Sequence, residues 1–168
     1  MREGLYRLGL GLSRVVEGGA ALLLFAIVVF NFLQVIFRYV VNSPLGWTEE
    51  LMRYSIVWVT YLASVAALFR GEHMAVDALI TIVPPHLAAV LRRVVLACIG
   101  LFCLILVWEG FPMAIQDAAQ FSPSAEIPMI WPHISVPVGG ALMLVVVGIL
   151  LVLRPEWVAM KLKGEGAE

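Results

Sequence analysis

Gly18–Phe37, GGAALLLFAIVVFNFLQVIF, is a run of 20 residues with no Asp, Glu, Lys, Arg or His. A helix rises about 1.5 Å per residue, so roughly 20 residues cross a hydrocarbon core of about 30 Å. The stretch therefore reads as a membrane-spanning helix. Three further blocks repeat the pattern: Tyr54–Phe69, Val94–Trp108 and Ile127–Leu153, the last with His133 as its one titratable group. The whole chain has 168 residues, 62% hydrophobic and 14% charged. Soluble domains hold about 45–50% apolar and about 25% charged residues, so too little polar surface exists here to clothe a water-soluble globule.

The expected fold is an all-α integral membrane protein with four transmembrane helices, about 15–38, 48–69, 86–111 and 129–153, in one domain covering 1–168. Thr48 brings the second helix to spanning length with Glu49, Glu50 and Arg53 in the headgroup zone. Pro84-Pro85 suits the start of the third. Arg92 and Arg93 can snorkel to the interface on their long stems. Past Phe111, the segment up to Gln116 can continue the third helix beyond a kink at Pro112. Arg2, Arg7 and Arg14 resemble the basic region of a secretory signal. The first apolar run nevertheless has spanning length and ends in Gln34, Phe37, Arg38 and Tyr39 without a small-residue cleavage pattern, so a retained signal-anchor helix is expected.

Orientation follows from the basic residues. Arg2, Arg7, Arg14, Arg70, Arg92, Arg93, Arg154, Lys161 and Lys163 flank one side of four such spans, and Arg38 and Arg53 the other. Nine of the 11 basic residues thus fall on one side, which predicts cytoplasmic N- and C-termini. Met74–Val83 is too short to span and reads as an interfacial segment on the cytoplasmic side. Pro112–Pro128, with Asp117 and Glu126, forms the loop on the other side.

Polar groups gather at the membrane edges. Asn31 and Gln34 share one face of the first helix and read mainly as hydrogen-bonding glue between helices. Ser43-Pro44 suits a helix cap and first residue, and Thr48 a later cap. Glu49 and Arg53 are four apart and can pair. Trp47 and Tyr39 fit an aromatic belt. For Arg38, Glu49, Glu50 and Arg53 two readings stand: an ordinary interfacial helix start, or a charge network holding helices or a partner subunit in register. His73 and Asp77 meet on a helix and favour structural pairing, because zinc wants three or four ligands and no Cys or second His lies nearby in sequence. Cys98 and Cys103, five apart, form no Cys-x-x-Cys pair. No catalytic, cofactor-binding, metal or substrate-binding residue is expected in this chain, and the net charge of −1 gives no reason for a nucleic-acid partner.

The segment 34–84 resembles the small, four-helix subunit of tripartite ATP-independent periplasmic (TRAP) transporters, the Q-type or DctQ-like component. The matching residues are Gln34-Val35, Arg38-Tyr39-Val40, Pro44-Leu45-Gly46-Trp47-Thr48-Glu49-Glu50-Leu51, Arg53 and Val57-Trp58, followed by Arg70, His73, Val76-Asp77 and Leu79. A looser similarity runs from Ile127-Pro128 to Pro137-Val138-Gly139-Gly140. Ala63 departs from the pattern, which leads one to expect glycine there.

The resemblance implies a non-catalytic subunit of the inner (cytoplasmic) membrane of a bacterium or archaeon, surrounded by lipid. Its partners would be a soluble P-type periplasmic substrate-binding protein and a large multi-spanning M-type subunit. The first captures an organic anion, a carboxylate or sugar acid; the second carries it inward with sodium by an elevator-like movement, braced by the small subunit. Gln34, Arg38, Trp47, Glu49 and Glu50 become candidates for structural or subunit-interface roles, as do Arg53, Trp58, Arg70, His73 and Asp77. Asp117 and Glu126 are candidates for docking the periplasmic protein. The competing expectation is a membrane anchor for a redox enzyme, holding haem or quinone.

Overall fold

The computed structural model describes residues 2–43, 45–71, 84–153 and 158, with the side chains of 85 and 86 set aside. Among the described residues the α-helices are, in chain order, α1 (Arg2–Tyr39), α2 (Gly46–Arg70), α3 (Pro85–Gln116), α4 (Ile130–His133) and α5 (Ser135–Leu153), with a 3₁₀ turn at Asp117–Ala119. Four segments are long and apolar enough to cross a membrane: α1, α2, Leu87–Ala119 and Ile130–Leu153. The protein is all-helical and multi-pass, as its apolar runs predict. The segment Met74–Val83, with His73 and Asp77, lies outside the described residues.

The helix ends differ from the sequence reading, each for a local reason. Helix α1 starts at Arg2 instead of near residue 15, because Tyr6, Gly9, Ser13, Val16 and Ala20 recur every three or four residues and are all buried. Tyr6 packs against Phe69 of α2 with ring centroids 6.1 Å apart. Helix α2 begins after Leu45, which occupies the N-cap without a side-chain bond. Thr48 caps nothing, since its hydroxyl donates to the Leu45 carbonyl at 2.6 Å. At the far end Gly71 adopts φ 71°, and its N–H closes the helix onto the carbonyls of Ala67 and Leu68.

Helix α3 continues through Pro112 to Gln116. The expected single helix 129–153 is divided at Ile134 into α4 and α5. Pro137 has no N–H to offer the carbonyl of His133 four residues earlier, and the Ser135 hydroxyl instead closes onto the Pro132 carbonyl at 2.6 Å.

The helices pack as a row, α1 on α2, α2 on α5 and α5 on α3, with a narrower contact between α1 and α5. Helices α2 and α5 therefore hold the centre, where Val65, Phe69, Val146, Val147, Leu150 and Leu153 are buried. Close approach depends on Gly139: a Cβ there would sit 2.5–2.7 Å from atoms of Tyr61. Its neighbour Gly140 faces the Cys103 backbone of α3. The flanks remain apolar and open, as at Phe25 and Phe32 on α1 and Phe102 and Trp108 on α3. In water such surfaces would drive association; among lipid tails they are ordinary.

Candidate functional site

The polar machinery gathers at the end of the bundle that carries residues 40–43 and the long loop between α3 and α4. One stripe of α2, Glu50, Tyr54 and Trp58 at four-residue intervals, grips that loop. The Glu50 carboxylate accepts hydrogen bonds from the Ser122 hydroxyl and from the backbone N–H groups of Ser124 at 3.2 Å and Ala125 at 3.0 Å. Tyr54 donates its hydroxyl to the Met129 sulfur at 3.4 Å, and Trp58 Nε1 donates to the Trp131 carbonyl at 3.0 Å. Tyr61, the next residue down this face, meets Gly139.

The loop is shaped to receive these contacts. Ser122 N–H bonds the Ile127 carbonyl at 3.0 Å, and Met129 N–H the Gln120 carbonyl at 2.9 Å. An isolated antiparallel bridge joins Phe121 to Pro128. Glu126 turns the chain with φ 53° and is exposed. Asp117 is drawn inward: its Oδ2 lies 2.7 Å from His133 Nδ1, within ion-pair distance but without hydrogen-bond alignment, and Gln120 Nε2 donates to its Oδ1 at 3.1 Å. The two docking candidates thus differ, with Asp117 occupied inside the chain and Glu126 open.

The acids and arginines of α1 and α2 do not converge into one network. Glu49 accepts from Gln34 Nε2 at 3.0 Å instead of pairing with Arg53. Arg38 lies over the adjacent Tyr39 ring at 5.8 Å. Among the described residues Arg38 and Arg53 are exposed and have no carboxylate partner. Trp47 stands edge-on to Phe30, centroids 6.3 Å apart. Arg70 lies at the opposite end and pairs with Glu17 of α1. Sequence reading missed that pair, since 53 residues separate its members. It also missed Ser122, although a hydroxyl two residues before Ser124 in a turn-rich loop is the available signal. Among the described residues no cluster of three or more His, Cys, Asp or Glu could hold a metal ion. The arrangement can fasten helices and a loop.

The family model for the DctQ component of tripartite ATP-independent periplasmic transporters matches residues 18–154. The chain belongs to that family. DctQ proteins are transporter components and not enzymes, and the redox-anchor reading is not favoured. Among relatives, a Haemophilus influenzae protein assigned provisionally as a TRAP transporter small permease is 33% identical over 98 residues, covering 58% of this chain and 60% of the relative. The C4-dicarboxylate TRAP transporter small permease protein DctQ of Vibrio cholerae is 28% identical over 107 residues, 62% of this chain and 46% of its own length. The isethionate TRAP transporter permease protein DctMQ of Oleidesulfovibrio alaskensis is 26% identical over 101 residues, 59% of this chain and 16% of the relative. The chain thus spans less than two thirds of the length of each. The chain is a multi-pass membrane protein of the DctQ family.

Proposed function

We propose that the chain braces a large, sodium-coupled, elevator-type membrane subunit during uptake of an organic anion delivered by a periplasmic binding protein. The observation that carries this reading is the fastening of the α3–α4 loop to α2 by Glu50, Tyr54 and Trp58. Such bonds suit a stationary support, because they fix one end of the helix row. The relative named DctMQ supports a large M-type partner, because this chain matches only 16% of it. Isethionate and C4-dicarboxylates, named for two relatives, are both organic anions.

In this reading residues 1–168 form one transmembrane domain in the inner membrane, with both termini cytoplasmic on the strength of the basic-residue count. Glu50 and Trp58 secure the loop, Arg70 secures α1 to α2, and Gln34, Arg38, Trp47, Glu49 and Arg53 lie towards the partner. His73 and Asp77 belong to the cytoplasmic edge, and Glu126 faces the binding protein. Co-expression with the large subunit, detergent extraction and affinity capture test the assignment. A stoichiometric complex is the expected result; a chain recovered alone as a monodisperse species would defeat it.

A further inference from the structure

The outward stripe of α3 is apolar along most of its length and broken by one acid. Phe102, Ile105 and Met113 are 60%, 53% and 66% exposed, and Glu109 stands exposed among them at the same three- and four-residue spacing. No hydrogen bond or ion pair engages its carboxylate among the described residues. Its neighbour Trp108 is 76% exposed. Pro112, also exposed, continues the helix without an N–H, so the Trp108 carbonyl lacks the donor that a helix normally supplies from four residues on. A carboxylate and a freed carbonyl thus lie within one turn of each other, and both are acceptors.

Depth makes this pair costly. Arg93, exposed on the same helix, precedes Glu109 by 16 residues, about 24 Å of helix. With Arg93 at one edge of a hydrocarbon core about 30 Å thick, Glu109 stands about 6 Å inside the other. Helical side chains lean towards the helix N-terminus, here away from the nearer edge, so Glu109 gains nothing by reaching outward. A charge so placed is accommodated when headgroups are drawn in and the bilayer thins locally. Trp108 suits that level, because indole rings favour the headgroup boundary.

We propose that Glu109 and the Trp108 carbonyl bind the primary ammonium headgroup of a phospholipid. A primary ammonium is a cation with three N–H donors, so it answers both acceptors at once, and its charge-assisted bond to the carboxylate is the stronger of the two. A choline headgroup carries the charge without an N–H, and a glycerol headgroup lacks the cation. The site depends on the membrane-spanning fold alone and not on the bracing role.

The test is native mass spectrometry of the purified full chain with phosphatidylethanolamine, phosphatidylcholine and phosphatidylglycerol of matched acyl chains. Preferential retention of phosphatidylethanolamine is expected. Glu109→Gln should lower that retention about tenfold. Pro112→Ala, which returns an N–H to the Trp108 carbonyl, should lower it about threefold, and Phe102→Ala should leave it unchanged. In membranes, carbodiimide coupling of carboxylates to primary amines should leave phosphatidylethanolamine on the peptide that bears Glu109. Equal retention of phosphatidylcholine, or equal retention by wild type and Glu109→Gln, would overturn the site. Coupling of Glu109 to a protein lysine in place of lipid would overturn it in favour of a protein partner. Unchanged retention by Pro112→Ala would overturn the part given to the Trp108 carbonyl.

Discussion

Glu50 and Ser122, 72 residues apart in the chain, share a hydrogen bond that ties the first turns of α2 to the loop between α3 and α4. The same carboxylate receives two backbone N–H groups from that loop. One acidic side chain thus satisfies three donors that no helix supplies with partners.

Removing that acceptor should loosen the loop without touching the spans. Glu50→Ala is expected to lower the melting temperature in detergent and to speed proteolysis between residues 121 and 127. Glu50→Gln, which keeps one acceptor oxygen, should do less. Differential scanning fluorimetry with limited proteolysis reads both effects. Substrate preference in the assembled transporter should not change; identical melting and cleavage in wild type and Glu50→Ala would show that the carboxylate is merely solvated.

The contact between α2 and α5 makes a packing prediction. Gly139→Ala places a methyl where Tyr61 atoms stand 2.5–2.7 Å away, an overpacking that costs about 1–3 kcal/mol. Tyr61→Gly, which also removes the Tyr61 Cβ that stands nearest, should absorb the added methyl, so the double variant should be more stable than the sum of the single changes predicts. Additive losses across the cycle would mean that the two residues do not meet.

At the opposite end, Glu17 and Arg70 are 45% and 41% exposed. Neutralising Glu17→Gln should therefore cost no more than about 1 kcal/mol, and less as salt rises. Unfolding midpoints at low and high ionic strength measure this directly.

The loop offers one open acid. Glu126→Gln should weaken binding of the periplasmic protein severalfold at low salt, with the difference fading as salt screens it. Asp117→Asn should act more weakly on binding, because Asp117 is already engaged by His133 and Gln120. Surface plasmon resonance on the reconstituted complex distinguishes them, and equal affinity for wild type and Glu126→Gln would remove the docking role.

Four uninterrupted apolar blocks made the spans legible, because crossing a bilayer demands length and hydrophobicity that little else requires. The 17 residues before the first block were harder to read. Tyr6, Gly9, Ser13 and Val16 carry a helical period, but the interspersed Arg2, Arg7 and Arg14 resemble a headgroup flank and mask it. Prolines were a poorer guide: the third helix continues through Pro112, whereas the last span, read as one helix, is divided at Ile134 ahead of Pro137. Partner choice was the least legible layer. Glu49 and Arg53 lie four apart on one face, yet Glu49 bonds Gln34, because the neighbouring helix brings a donor that sequence spacing cannot reveal. The attachment of Glu50 to Ser122 is invisible for the same reason.

The central claim is that the chain supports a transporter without moving solute itself. Proteoliposomes loaded to give an inward sodium gradient, and supplied with the binding protein and a labelled organic anion, test it most directly. Uptake should require this chain together with the large subunit, and vesicles holding this chain alone should accumulate nothing. Undiminished uptake by the large subunit without it, or transport by this chain alone, would contradict the account.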